Sequence, residues 1–287
     1  MTETTTSGWT TFWNRGTWWK AVIAVVAYLV LFQLASLLIG VLFGSQLTDG
    51  GLFGSVTNVF ILLTATLLVG AVLLIAFTAS VGWFRALFGP QPIRGSWWMW
   101  IAVVIIAAPI VLRLIGVDYG SYDPGVVVVM LLTGLLIGFT EEVITRGIAV
   151  KILRDSGMRE LGVAVVSSAL FALMHSTNIF TMPPFTVAVT LVYTFAFGLL
   201  MYLTMRVTGS IVWPIILHGL TDPLLFLATG GIDQAATGTQ NVFLALAGPS
   251  NIVVIAFGVV ALFLIRGRVA AAGPGAPAAP AVGDLPR

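Results

Sequence analysis

The chain has 287 residues, 59% of them hydrophobic and 8% charged, with a net charge of +2, no cysteine and a mean hydropathy of +1.06. These values exclude a water-soluble globular domain and describe an all-α, polytopic membrane protein. They also exclude disulfides, thiolate metal ligands and a cysteine nucleophile, and the sparse basic residues form no nucleic-acid patch.

Residues 1–20 are a polar segment with a threonine run and without the short apolar core and cleavage site of a signal peptide. Eight apolar segments follow, at roughly 21–44, 59–84, 97–117, 126–150, 159–178, 186–206, 211–230 and 251–267. Each is about 20 residues, enough to cross about 30 Å of hydrocarbon as a helix. The seventh is expected to be broken, because Pro214 and Pro223 interrupt it. Residues 21–269 thus form a transmembrane helical domain, and the Ala/Pro-rich 270–287 is expected to be a disordered tail. No internal repeat and no separate soluble domain is visible.

Charge alternates along this layout. The connections after segments one, three, five and seven carry Asp49, Asp118, Asp123 and Asp233 and no Lys or Arg. The other connections and both ends carry Arg15, Lys20, Arg85, Arg94, Lys151, Arg154, Arg159, Arg206, Arg266 and Arg268. The positive-inside rule then predicts an even number of spans in an integral cell membrane, with both termini cytoplasmic. Trp18, Trp19, Trp83, Trp97, Trp98 and Trp213 fall at segment ends, where an aromatic belt belongs.

Against this apolar background one stretch is out of place. Glu141, Glu142 and Arg146 sit near the end of the fourth segment, and a charge at bilayer depth costs at least about 2.5 kcal/mol. The only two histidines, His175 and His218, lie in later apolar segments, and Asp222 follows His218 by four residues. Glu141 and His175 are each 17 residues from Met158, in the turn between segments four and five, so an antiparallel pair holds them at one depth. His218, nine residues beyond Gly209, reaches about 14 Å from the same side, against about 15 Å for Glu141. Glu142/Arg146 and His218/Asp222 are spaced i, i+4, so each pair shares a helix face. His175 has no acidic neighbour on its own helix and is expected to find its partner across the bundle.

A carboxylate, two imidazoles and a further oxygen ligand suit a catalytic zinc site with an open water position. They suit equally a metal-free site, in which Glu polarises water and His donates to a developing oxyanion. Both routes lead to attack of water on a carbonyl.

The three motifs, Glu141-Glu142-x-x-x-Arg146, Phe171-x-x-x-His175 and His218-x-x-x-Asp222, occur in this order on an eight-span scaffold. The pattern resembles the CAAX prenyl protease and bacteriocin-processing (Abi) family of intramembrane endopeptidases, over about 126–230. The resemblance implies Glu141 as the water-activating residue, aided by His175, with His218 and residue 222 completing the site and with Glu142 and Arg146 shaping it. It implies a peptide or protein substrate from the cytoplasmic side, prenylated or a bacteriocin or pheromone precursor. Many relatives carry Asn where this chain has Asp222, and an ionised Asp would repel an oxyanion. That difference tilts the expectation toward a metalloprotease, with Zn2+ or another divalent metal on Glu141, His175, His218 and Asp222. Two other readings are a non-catalytic membrane immunity or scaffold protein that sequesters a peptide, and a proton-coupled transporter. Arg113, inside the third segment, is expected to snorkel or pair with a neighbour, and Phe171 to pack behind His175.

Overall fold

Every regular element among the described residues of the computed structural model, residues 8–232 and 241–269, is helical. The expected tail and Asp233 lie outside those residues. Eight helices are long and apolar enough to cross a membrane: α2 (Trp19–Gln46), α3 (Val56–Val81), α4 (Trp97–Gly116), α5 (Pro124–Asp155), α6 (Glu160–Phe180), α7 (Pro184–Thr208), α8 (Val212–Thr229) and α9 (Val242–Leu264). They match the eight apolar segments, the last beginning nine residues earlier than expected. The chain is an integral, multi-pass membrane protein.

The N-terminal segment holds an element the sequence reading left out. The short helix α1 (Gly8–Asn14) seats Trp13 edge-on against Phe77 of α3, with ring centroids 5.0 Å apart. Lys20 closes the end of α1, its ammonium bonding the Phe12 and Arg15 carbonyls, where a cation meets the negative end of a helix.

The helix α8 also differs from expectation, being continuous from Val212 to Thr229. Pro214 lies in the first turn, where backbone N–H groups have no intrahelical partner to lose. Pro223 removes one internal bond, and the carbonyl it leaves, that of Gly219, is turned onto α5. A Cβ at Gly134 would lie 2.3 Å from that oxygen and one at Gly138 2.2 Å from the Ile215 carbonyl. Gly134, Gly138 and Gly219 therefore let the α5 and α8 backbones touch, the small-residue packing that joins helices in lipid, where burial of apolar surface gives no drive. This is the most extensive helix pair in the molecule.

The helix α7 is the axis. Its residues from Ala196 to Arg206 are all buried, against α6, α9, α4 and α8. By contrast α2 presents Leu34, Leu37, Leu38 and Val41 outward, as a lipid-facing helix should.

The connections sort to two ends. At one end Arg154 forks onto Glu160 and also donates to Gln91 at 2.7 Å, Arg206 donates to the Arg94 and Arg266 carbonyls, and Arg268 to the Gly157 carbonyl. At the other, Asn58 binds the Thr48 and Gly51 carbonyls, Tyr122 packs on Phe53 and donates to Leu227, and Asn241 donates to Gly116. Among the described residues the basic connections thus share one face, and those carrying Asp49, Asp118 and Asp123 the other.

Candidate active site

Glu141 and Glu142 are carried at the point where α5 changes pitch, from α-helix through Glu142 to a π-helical stretch over Val143–Ala149. Wider turns of this kind concentrate at functional sites because they redirect side chains. Here the stretch contains Arg146, whose Nη1 lies 3.2 Å from Glu142 Oε1, the ion pair that the i, i+4 spacing predicts. Nη1 also donates to Thr145 Oγ1, and the guanidinium lies 4.4 Å over the Phe171 ring. Both members of the pair are fully buried.

The close contact of α5 with α8 brings His218 against this pair. Its Nδ1 is 2.8 Å from the same Glu142 oxygen. That bond fixes the ring and turns Nε2 toward two further carboxylates, Asp222 Oδ2 at 3.5 Å and Glu141 Oε2 at 3.8 Å. The ring is held edge-to-face by Phe197 (5.0 Å) and Phe171 (5.6 Å). His218 is therefore set among Glu141, Glu142 and Asp222, and its direct bond goes to Glu142.

His175 ends the regular part of α6. Its Nδ1 is 3.1 Å from the Phe171 carbonyl and its ring packs on Phe171 at 5.0 Å. The partner expected across the bundle is thus supplied by its own helix, at Nδ1. It lies within electrostatic range of Glu141, as do His218, Asp222 and Glu142. The structure brings Glu141, Glu142, Arg146, His218 and Asp222 together, with His175 facing them from one turn beyond Phe171.

Several polar atoms in this cluster have no partner: Glu141 Oε2, Glu142 Oε2, Arg146 Nε and Nη2, and Ser168 Oγ are all buried without a hydrogen bond. Orphaned acceptors beside orphaned donors mark places for water or a ligand. Glu141 retains 22% of its side-chain exposure, so it borders open space, whereas Glu142 has none.

The expected metal set fares differently. Among the described residues no three His, Asp or Glu side chains are placed to hold one ion jointly. Nδ1 of each histidine is engaged elsewhere, and Glu141, His175, His218 and Asp222 do not close into a cage.

Two neighbours escaped the sequence reading. Tyr28 of α2 is buried, its side chain reaches Thr140, and it lies within charge range of Glu141. It also lines an apolar cavity of about 420 Å³ together with Trp13, Leu31, Phe77, Ile144 and Ile148. Its being the one tyrosine of α2 was the available signal. Phe197 is the other, and nothing in its sequence context set it apart. Ser176 caps locally, donating to the Leu173 carbonyl.

The fold and this centre define a class: a multi-pass helical membrane protein with carboxylates and imidazoles buried at bilayer depth. Residues 123–224 match the Rce1-like family model, type II CAAX prenyl endopeptidase. The match contains Glu141, Glu142, Arg146, Phe171, His175, His218 and Asp222, bears out the resemblance drawn from the three motifs, and supports intramembrane CAAX-type endopeptidase activity. No curated protein and no solved structure matches the chain.

Proposed function

We propose that the protein hydrolyses a peptide bond inside the membrane with Glu141 as general base. The observation that carries this reading is the buried Glu141 Oε2, without a hydrogen bond and 3.8 Å from His218 Nε2, on a side chain that otherwise borders open space. A water donating to Glu141 attacks the substrate carbonyl, forming the new C–O bond as Glu141 takes its proton. The imidazoles of His218 and His175 are the donors for the oxyanion. Collapse breaks the C–N bond, and the proton held by Glu141 passes to the leaving amine.

In this reading Glu142 and Arg146 act through His218: the ion pair holds the carboxylate that fixes the ring. Asp222 lies on the Nε2 side of the ring and holds it from there. The basic face is the cytoplasmic one, so a substrate enters from the side on which Lys and Arg gather. The apolar cavity beside Tyr28 suits an apolar chain on that substrate, such as a prenyl group.

The test compares peptide termini in membranes of cells expressing wild type and Glu141→Gln at matched levels. Termini that appear with wild type alone establish the protease and name its substrate. Identical profiles would overturn the catalytic reading and favour the peptide-sequestering alternative.

A further inference from the structure

Of the buried charges outside the three motifs, Lys20, Arg154, Glu160 and Arg206 bind carbonyls or one another, and Arg113 remains. Arg113, in the last turn of α4, is 6% exposed, so it neither snorkels to an interface nor reaches lipid headgroups. Its Nη2 donates to the Ser250 hydroxyl of α9 at 3.4 Å, a long bond to a neutral group. Among the described residues no carboxylate lies within salt-bridge distance of it.

A guanidinium keeps its charge at any working pH, so the surrounding helices must supply the opposite one. The motif cluster has that charge to spare. Its three carboxylates, Glu141, Glu142 and Asp222, face one guanidinium, Arg146, and one imidazole, His218. With His218 and His175 both neutral two negative charges remain over, and with either one protonated one remains. Arg113 lies within electrostatic range of Asp222, and the half-buried Tyr193 of α7 is within range of both. The helices that carry Arg113 and Asp222 pack directly on one another.

We propose that Arg113 is the counter-ion of Asp222, a positioning residue for the centre, with Tyr193 completing the cluster. It balances the charge that Asp222 brings, so that this carboxylate stays against His218 Nε2 and does not crowd Glu141. The role assigned to Asp222 rests on the proposed function; the charge pairing itself does not.

The pairing is tested by a double-mutant cycle in the full-length protein, purified in detergent and followed by thermal unfolding. Arg113→Gln and Asp222→Asn each leave one charge within the bundle uncompensated, and each is expected to lower the midpoint by about 4 °C or more. The double variant removes both charges together and is expected to recover most of the loss. Shifts that simply add would overturn the pairing, as would a Ser250→Ala variant that reproduces the whole Arg113→Gln shift. Cleavage supplies the second readout. Arg113→Gln is expected to lower kcat about tenfold with KM unchanged, and Arg113→Lys to restore most of it. An Arg113→Gln enzyme with wild-type kcat per folded molecule would overturn the positioning role. The unfolding cycle reads the pairing even if the protein cleaves nothing.

Discussion

The molecule buries two clusters of charge, and they are finished differently. At the basic end Glu160 takes both its oxygens to the Arg154 fork, at 3.0 and 2.8 Å, accepts from the Tyr202 hydroxyl, and has Arg206 at 3.8 Å. Its backbone N–H binds the Gly267 carbonyl, tying the start of α6 to the segment after α9. In the centre around Glu141, one oxygen of each glutamate and two nitrogens of Arg146 are left without partners. A closed network fixes helices relative to one another. An open one keeps capacity for something that binds there, and holds it at a cost in stability. Similar residue types do both jobs; what separates them is how far the hydrogen-bonding inventory is used, since around Glu160 only Arg206 Nε lacks a partner among the described residues, whereas in the centre atoms of both glutamates and of Arg146 do.

That contrast can be broken at four places. The largest effect belongs to Glu141→Gln, which keeps the shape and removes the base: cleavage should fall by about 10²–10⁴-fold, the usual contribution of general base catalysis. The unfolding midpoint should stay put, and a large fall in stability instead would move Glu141 into the structural group. Glu160→Gln should do the reverse. It strands the Arg154 guanidinium in the interior, and removing one partner of a buried pair typically costs about 3–5 kcal/mol. Denaturant or thermal unfolding would read the loss, while cleavage per folded molecule holds. Equal damage to kcat would erase the distinction between the clusters.

Gly138→Ala should sit between them and affect both quantities. The added methyl meets the Ile215 carbonyl, with Cβ at 2.2 Å, and α8 must back away from α5. Overpacking of this kind costs about 1–3 kcal/mol. Because the same contact seats His218 on Glu142, cleavage should fall by more than the loss of folded protein explains. Parallel falls in the two would show that the helix contact supports the fold alone. The smallest effect is expected from a zinc chelator, since the carboxylates and imidazoles do not close on a shared ion. Inhibition by the chelator, reversed by added zinc, would establish the metalloprotease expectation.

Much of this was legible in the sequence, for reasons that are local. Apolar runs of membrane length mark the spans, because in lipid a helix satisfies its own backbone. The alternation of Asp with Lys and Arg sorted the connections to two ends. The i, i+4 spacings correctly paired Glu142 with Arg146 and His218 with Asp222, because helical geometry links those positions whatever surrounds them.

What only the tertiary structure decided concerns neighbours across the bundle. Depth along the membrane follows from counting residues, but lateral proximity does not. It depends on where Gly134, Gly138 and Gly219 let two backbones meet, and that contact makes Glu142 the residue bonded to His218. Proline misled for the same reason: whether Pro214 and Pro223 break a helix depends on where the helix starts and on what receives the freed Gly219 carbonyl. The helix at Gly8–Asn14 escaped notice because its stability comes from Trp13 packing on α3, a contact no local pattern announces. The sequence left Arg113 either to snorkel or to pair with a neighbour, and its 6% exposure within the bundle decided against the interface.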